Sequence, residues 1–115
     1  MDNCNKVITA LSTGQTQKTP RYPRVKVKAG KTCEYLITAS DSSKRVQINF
    51  KVFNVQSPSY VAVNPSGNNY YDGTVTTIQN PIGNRIYTST GSVMRMYFDN
   101  KVSTRGFKFQ FKQVN

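Results

Sequence analysis

The chain has 115 residues, which suits one domain with a single core. Sixteen Lys and Arg stand against five Asp and Glu, a formal charge of +11, and there is no His. The missing imidazole removes the commonest general base, and two cysteines without histidine rule out an ordinary zinc site.

No run approaches the roughly 20 apolar residues of a membrane span. No signal peptide is visible, and Met1-Asp2-Asn3-Cys4 reads as a start methionine before a mature domain. Val, Ile, Thr, Tyr and Phe are plentiful, whereas Leu occurs only at Leu11 and Leu36, a bias toward strands. The positive charge draws anionic partners such as nucleic acid, sulfated glycans, anionic lipid or acidic protein. The cysteines, Cys4 and Cys33, fit a structural disulfide in an oxidising compartment; two buried free thiols in a reducing one are the alternative.

Val7, Ile8, Ala10 and Leu11 suggest a short first strand, and Ser12 to Thr19 reads as loop. Pro20-Arg21-Tyr22-Pro23 is an irregular or edge segment, because each proline lacks an N–H. Arg24-Val25-Lys26-Val27-Lys28 alternates charge with valine, as an edge strand with one wet face does. Tyr35, Ile37 and Ala39 alternate with Glu34, Leu36 and Thr38, and Val46, Ile48 and Phe50 alternate with Gln47, Asn49 and Lys51. Ser40-Asp41-Ser42-Ser43 lies between them, so this stretch predicts two antiparallel strands joined by a turn.

Ser57-Pro58-Ser59 breaks the chain, and Tyr60 to Val63 is a short strand. Asn64-Pro65-Ser66-Gly67-Asn68-Asn69 is a turn signal. Thr74 to Ile78, Arg85 to Thr88 and Val93 to Phe98 have strand character, and Asp99 to Arg105 reads as a polar loop. Gly106 to Lys112 is the cleanest alternation, with Phe107, Phe109 and Phe111 on one face and Lys108, Gln110 and Lys112 on the other. Short strands with Gly, Pro and Asn turns predict an all-β sandwich.

The order of Cys4, Tyr22-Pro23, Cys33, Tyr35, Ile37, then Val46, Ile48, Phe50, Phe53 and Val55, then Val93 to Phe98, Ser103 and Gly106-Phe107-x-Phe109-x-Phe111 resembles the CUB domain. The likeness covers nearly the whole chain. It implies a jelly-roll β-sandwich of two antiparallel sheets, one domain over residues 1–115, and a secreted or extracellular protein with a Cys4–Cys33 bridge. The single-domain layout resembles the spermadhesins, which bind glycans. A bacterial jelly-roll domain leaves Gly106-Phe107 and the cysteine spacing unexplained, and an immunoglobulin domain would want a Trp that this chain lacks.

The departures from the family matter too. There is no Cys after Cys33, so the family's second disulfide is missing. Many members hold calcium through acidic residues at positions that correspond here to Gln56, Ser59 and the loop Asp99-Asn100-Lys101. Calcium needs several carboxylate oxygens. One Asp beside Lys101 does not supply them, so the resemblance implies a lost calcium site and no cofactor.

No catalytic constellation is visible without His. The leading binding candidate is the acid-free basic run Lys18, Arg21, Arg24, Lys26, Lys28 and Lys31, set against the bland reading of a solvated edge. A second is Arg85, Tyr87, Arg95 and Lys101; a third is Tyr70-Tyr71 with Asn68, Asn69 and Asp72. Nucleic acid is the weaker partner, since only Tyr22 and Tyr35 lie near the run for base stacking. The expected function is therefore a non-enzymatic module that recognises anionic glycans or acidic proteins through a basic edge, without calcium. The alternative is an accessory CUB domain of a larger extracellular, matrix or venom protein.

Overall fold

The computed structural model describes residues 5–18, 30–67, 76–78 and 85–115. Among these the chain forms strands and no helix: β1 (Lys6–Ala10), β2 (Gln15–Lys18), β3 (Lys31–Ala39), β4 (Arg45–Asn54), β5 (Tyr60–Asn64), β6 (Thr76–Ile78), β7 (Arg85–Thr88), β8 (Val93–Asn100) and β9 (Gly106–Val114). One sheet, sheet A, runs β1-β3-β8-β5-β6, and the other, sheet B, runs β2-β9-β4-β7. Among the described residues every pairing is antiparallel except β1 with β3. The all-β sandwich expected from the strand spacing is what the chain forms.

Two expectations meet a different outcome, and one falls outside the described residues. Residues 15–18, read as loop, form β2, which zips onto β9 with Gln15 opposite Phe111 and Lys18 opposite Lys108. Polar side chains hid this strand, because its stability comes from pairing rather than from an apolar face of its own. The edge strand expected over Arg24 to Lys28 lies outside the described residues. The third concerns the stretch from Cys33 to Gln56. β3 and β4 do not pair: β3 bonds to β1 and β8, β4 to β7 and β9. The turn at Asp41 carries the chain from one sheet to the other. Asp41 shapes it by accepting bonds from the Ser43 N–H (2.9 Å) and hydroxyl (2.7 Å). Alternation tells which residues face the core, and it does so equally for partners in a sheet and for strands stacked across it.

The core lies between the sheets. Tyr35, Ile37, Met94, Met96 and Phe98 enter from sheet A, and Val46, Ile48, Phe50, Phe53, Phe107, Phe109 and Phe111 from sheet B. Burying each such side chain stabilises the fold by about 1.5–3 kcal/mol before entropy is counted. Phe107 is the hub: its ring meets Phe98 edge-on at 5.1 Å and stacks on Phe53 at 6.0 Å. Phe50 and Phe53 are three apart, which strict alternation would send to opposite faces. The β4–β9 register shifts between Phe50 and Val52, and that bulge turns both rings inward. Gly106, at the head of β9, has φ +96°, a region glycine enters without strain. The Gly-Phe pair therefore has a backbone reason as well as a packing one.

Candidate functional site

The sequence-predicted basic run is only partly described. Lys18 takes the position opposite Lys108 at the β2 edge of sheet B, whereas Lys31 opens β3 in sheet A. Arg21, Arg24, Lys26 and Lys28 lie outside the described residues, as does Cys4, while Cys33 is fully buried on β3. The second candidate group does not assemble. Arg85 and Tyr87 are on β7 of sheet B, whereas Arg95 is on β8 of sheet A. Arg95 is committed locally, its Nε donating to the Gly67 carbonyl at 2.8 Å. Gly67 has φ +72° and a Cβ there would stand 2.6 Å from the Val93 carbonyl oxygen, so only glycine permits this approach. The Tyr70-Tyr71 group with Asn68, Asn69 and Asp72 also lies outside the described residues.

The calcium-aligned positions are described, and their chemistry is that of a clipped loop. Gln56 is exposed. Ser59 is fully buried just before β5, and its hydroxyl accepts from the N–H groups of Lys101 (2.8 Å) and Val102 (3.0 Å) while donating to the Val102 carbonyl (3.3 Å). The loop after β8 thus turns two amide donors toward Ser59, the opposite of what a cation wants. Asp99 alternates to the outer side of β8, opposite Thr32 and Tyr60. There it lies near Tyr97, whose hydroxyl pKa is raised by partial burial first and then by the charges of Asp99 and Glu34; a hydrogen bond with Thr32 works the other way. Lys101 sets its ammonium 5.8 Å from the centre of the Tyr60 ring. These residues do not fit a calcium ion.

The structure brings together a group the sequence reading did not assemble. β4 and β9 are neighbours in the middle of sheet B, with Gln47 opposite Lys112 and Asn49 opposite Gln110. Their outward positions therefore share one face. None of the four strands of sheet B contains Asp or Glu, while together they hold Lys18, Arg45, Lys51, Arg85, Lys108 and Lys112. On that face a depression of about 440 Å³ has Gln47, Asn49, Lys51, Ile86, Gln110 and Lys112 among the residues that line it. The Asn49 amide oxygen is enclosed and has no hydrogen-bond partner among the described residues. The signal was present in two separate alternations, Gln47-x-Asn49-x-Lys51 and Lys108-x-Gln110-x-Lys112. Only the β4–β9 pairing joins them.

A family model described as CUB domain matches residues 4–111. The chain belongs to the CUB domain family. CUB domains are protein–protein interaction modules, often found in extracellular proteins, and are generally non-catalytic. Among solved structures, the full extracellular region of zebrafish Gpr126/Adgrg6 is similar over 98% of this chain and 15% of that one, at 26% identity and TM-score 0.80. The CUB1-EGF-CUB2 domains of rat MASP-1 are similar over 96% of this chain and 43% of that one, at 20% identity and TM-score 0.73. The MASP-1 CUB2 domain bound to Ca2+ is similar over 95% and 99% of the two chains, at 18% identity and TM-score 0.70. This CUB chain thus spans 15% and 43% of the two larger neighbours. No curated protein matches the sequence.

Proposed function

We propose that this CUB domain is a non-enzymatic, calcium-independent binding module of a secreted or extracellular protein, and that it recognises an anionic glycan or acidic protein surface. The observation that carries this reading is the charge of sheet B, whose four strands hold six cations and no acid. A face of one sign raises the local concentration of oppositely charged partners. Lys18, the first cation of the run expected from sequence, closes β2 at the edge of this sheet. Calcium independence is supported by the amide donors that occupy Ser59 and by the outward position of Asp99.

Heparin retention against a salt gradient tests the reading. The domain should elute later than a control protein of equal net charge, and equally late in millimolar calcium or in chelator. Replacing Arg24, Lys26 and Lys28 together by Ala should advance elution beyond the shift from three cations removed elsewhere. Elution at the salt set by net charge alone would sink the anion-binding reading. A calcium titration showing micromolar affinity would sink the calcium-independent one.

The large neighbours favour a second setting for the same module, as one accessory domain of a bigger extracellular protein, since this chain matches only 15% and 43% of them. The sequence of the full precursor decides that.

A further inference from the structure

We propose that the depression on the outer face of sheet B is a binding site for a sulfated or carboxylated oligosaccharide, an inference that rests on the anionic-ligand reading and assigns it a place. Three observations converge there. The first is charge placement. Lys108 and Lys112 stand four residues apart on β9, about 13 Å at the usual rise per residue. Lys51 lies at the Lys108 end of the face, since its neighbour Val52 is opposite Lys108, and Lys112 marks the other end opposite Gln47. Of these cations Lys51 and Lys112 line the depression, one toward each end, which suits an extended polyanion better than a single small ion.

The second is the chemistry between the ends. Gln47, Asn49 and Gln110 fill the middle with side-chain amides, each offering two donors and an acceptor. Alternating donors and acceptors match the hydroxyls of a sugar ring. An acidic peptide has its donors and acceptors on a backbone, and it is best read by a free strand edge; this depression lies over β4 and β9, interior strands of the sheet. Ile86 is 55% exposed beside the amides and gives an apolar shelf for the C–H side of a ring.

The third is the enclosed Asn49 amide oxygen with no partner among the described residues. A buried acceptor left unmade is costly, and such exceptions in a folded domain call for an explanation. A ligand hydroxyl would supply the missing donor once the Asn49 side chain rotates its amide oxygen into the depression. The depression, at about 440 Å³, falls within the usual range for small-ligand sites.

The test is titration of the folded domain with a size-defined heparin hexasaccharide, followed by calorimetry and by the side-chain amide resonances of Asn and Gln. The Gln47, Asn49 and Gln110 resonances should shift on binding. Gln47→Ala with Gln110→Ala, a pair that leaves charge unchanged, should weaken binding at least tenfold with the same salt dependence. Lys51→Ala with Lys112→Ala should weaken it and reduce the slope of log affinity against log salt by about two, because each cation used releases counterions. Lys6→Ala with Lys44→Ala, which removes equal charge outside the lining of the depression, should change binding less than threefold. Thermal melts of each variant exclude unfolding, and the wild-type resonance shifts need no variant at all. If the hexasaccharide binds but the sheet B pairs weaken it no more than the Lys6 and Lys44 pair, the location is wrong while the anionic-ligand reading survives. If a glutamate-rich peptide binds as tightly with the same dependence on Gln47 and Gln110, the sugar assignment is overturned. If neither ligand binds beyond what a charge-matched protein does, the anionic-ligand reading itself falls.

Discussion

Replacing Tyr35 by Phe should make this domain more stable. Tyr35 is 1% exposed, and its hydroxyl is buried without a hydrogen-bond partner among the described residues. The ring is well placed, edge-on to Phe107 at 6.0 Å and to Phe109 at 5.7 Å, and Phe keeps both contacts. Burying an unpaired hydroxyl costs about 1–3 kcal/mol in proteins. Taking the low end, the variant gains about 1 kcal/mol. The unfolding entropy of 115 residues is about 0.24 kcal/mol per kelvin, so Tm should rise by about 4 °C. Urea unfolding at neutral pH measures the free energy directly. Alkaline pH gives a second readout. Burial pushes the Tyr35 hydroxyl well above its ordinary value near 10. Above about pH 10 the unfolded phenol loses its proton while the folded one keeps it. The unfolded state then binds fewer protons, so stability falls as pH rises. One such proton is worth about 1.4 kcal/mol per pH unit, and the variant should lack that slope. A loss of more than about 1 kcal/mol in Tyr35→Phe would mean the hydroxyl makes a bond. An alkaline slope identical to the wild type would mean the phenol is not shielded. Either result refutes the argument.

Phe107→Ala should remove the hub of the aromatic cluster and cost about 3–5 kcal/mol, a large share of the stability of a domain this size; a loss under 1 kcal/mol in urea unfolding would show that the cluster collapses around the gap. Ser59→Ala should leave the Lys101 and Val102 amides without their acceptor and cost about 1–3 kcal/mol, with faster hydrogen exchange at those two amides as the specific readout; unchanged exchange would remove the clip. The Cys4–Cys33 bridge is expected from the pairing of β1 with β3, because Asn5 Oδ1 already accepts from the Glu34 N–H at 2.9 Å, one residue beyond each cysteine. Thiol titration of the unfolded, unreduced protein should find no free group, and reduction should cost about 3 kcal/mol on the chain-entropy model; two free thiols would end that expectation.

Much of the fold is legible in the residue order. The alternations of Tyr35, Ile37 and Ala39, of Val46, Ile48 and Phe50, and of the three Phe after Gly106 each name core residues correctly, because inward-facing positions recur every second residue whatever a strand pairs with. The spacing of Phe50 and Phe53 marks a bulge, and Gly106 marks a backbone that only glycine adopts readily. β2 stayed hidden because Gln15-Thr16-Gln17-Lys18 has no apolar pattern and depends on β9 for its hydrogen bonds.

The site divides along the same line. The sequence by itself determined the excess of cations, the absence of imidazole, the two-faced strands and the Ser and Lys where a calcium carboxylate would be expected. It could not say which strands lie side by side, since pairing is fixed by long-range packing and not by any strand's own pattern. The sheet order alone decided that Cys33 to Gln56 crosses between layers instead of folding back as a hairpin. It also decided that Gln47, Asn49 and Lys51 stand beside Gln110 and Lys112, about sixty residues later in the chain but one strand away in the sheet.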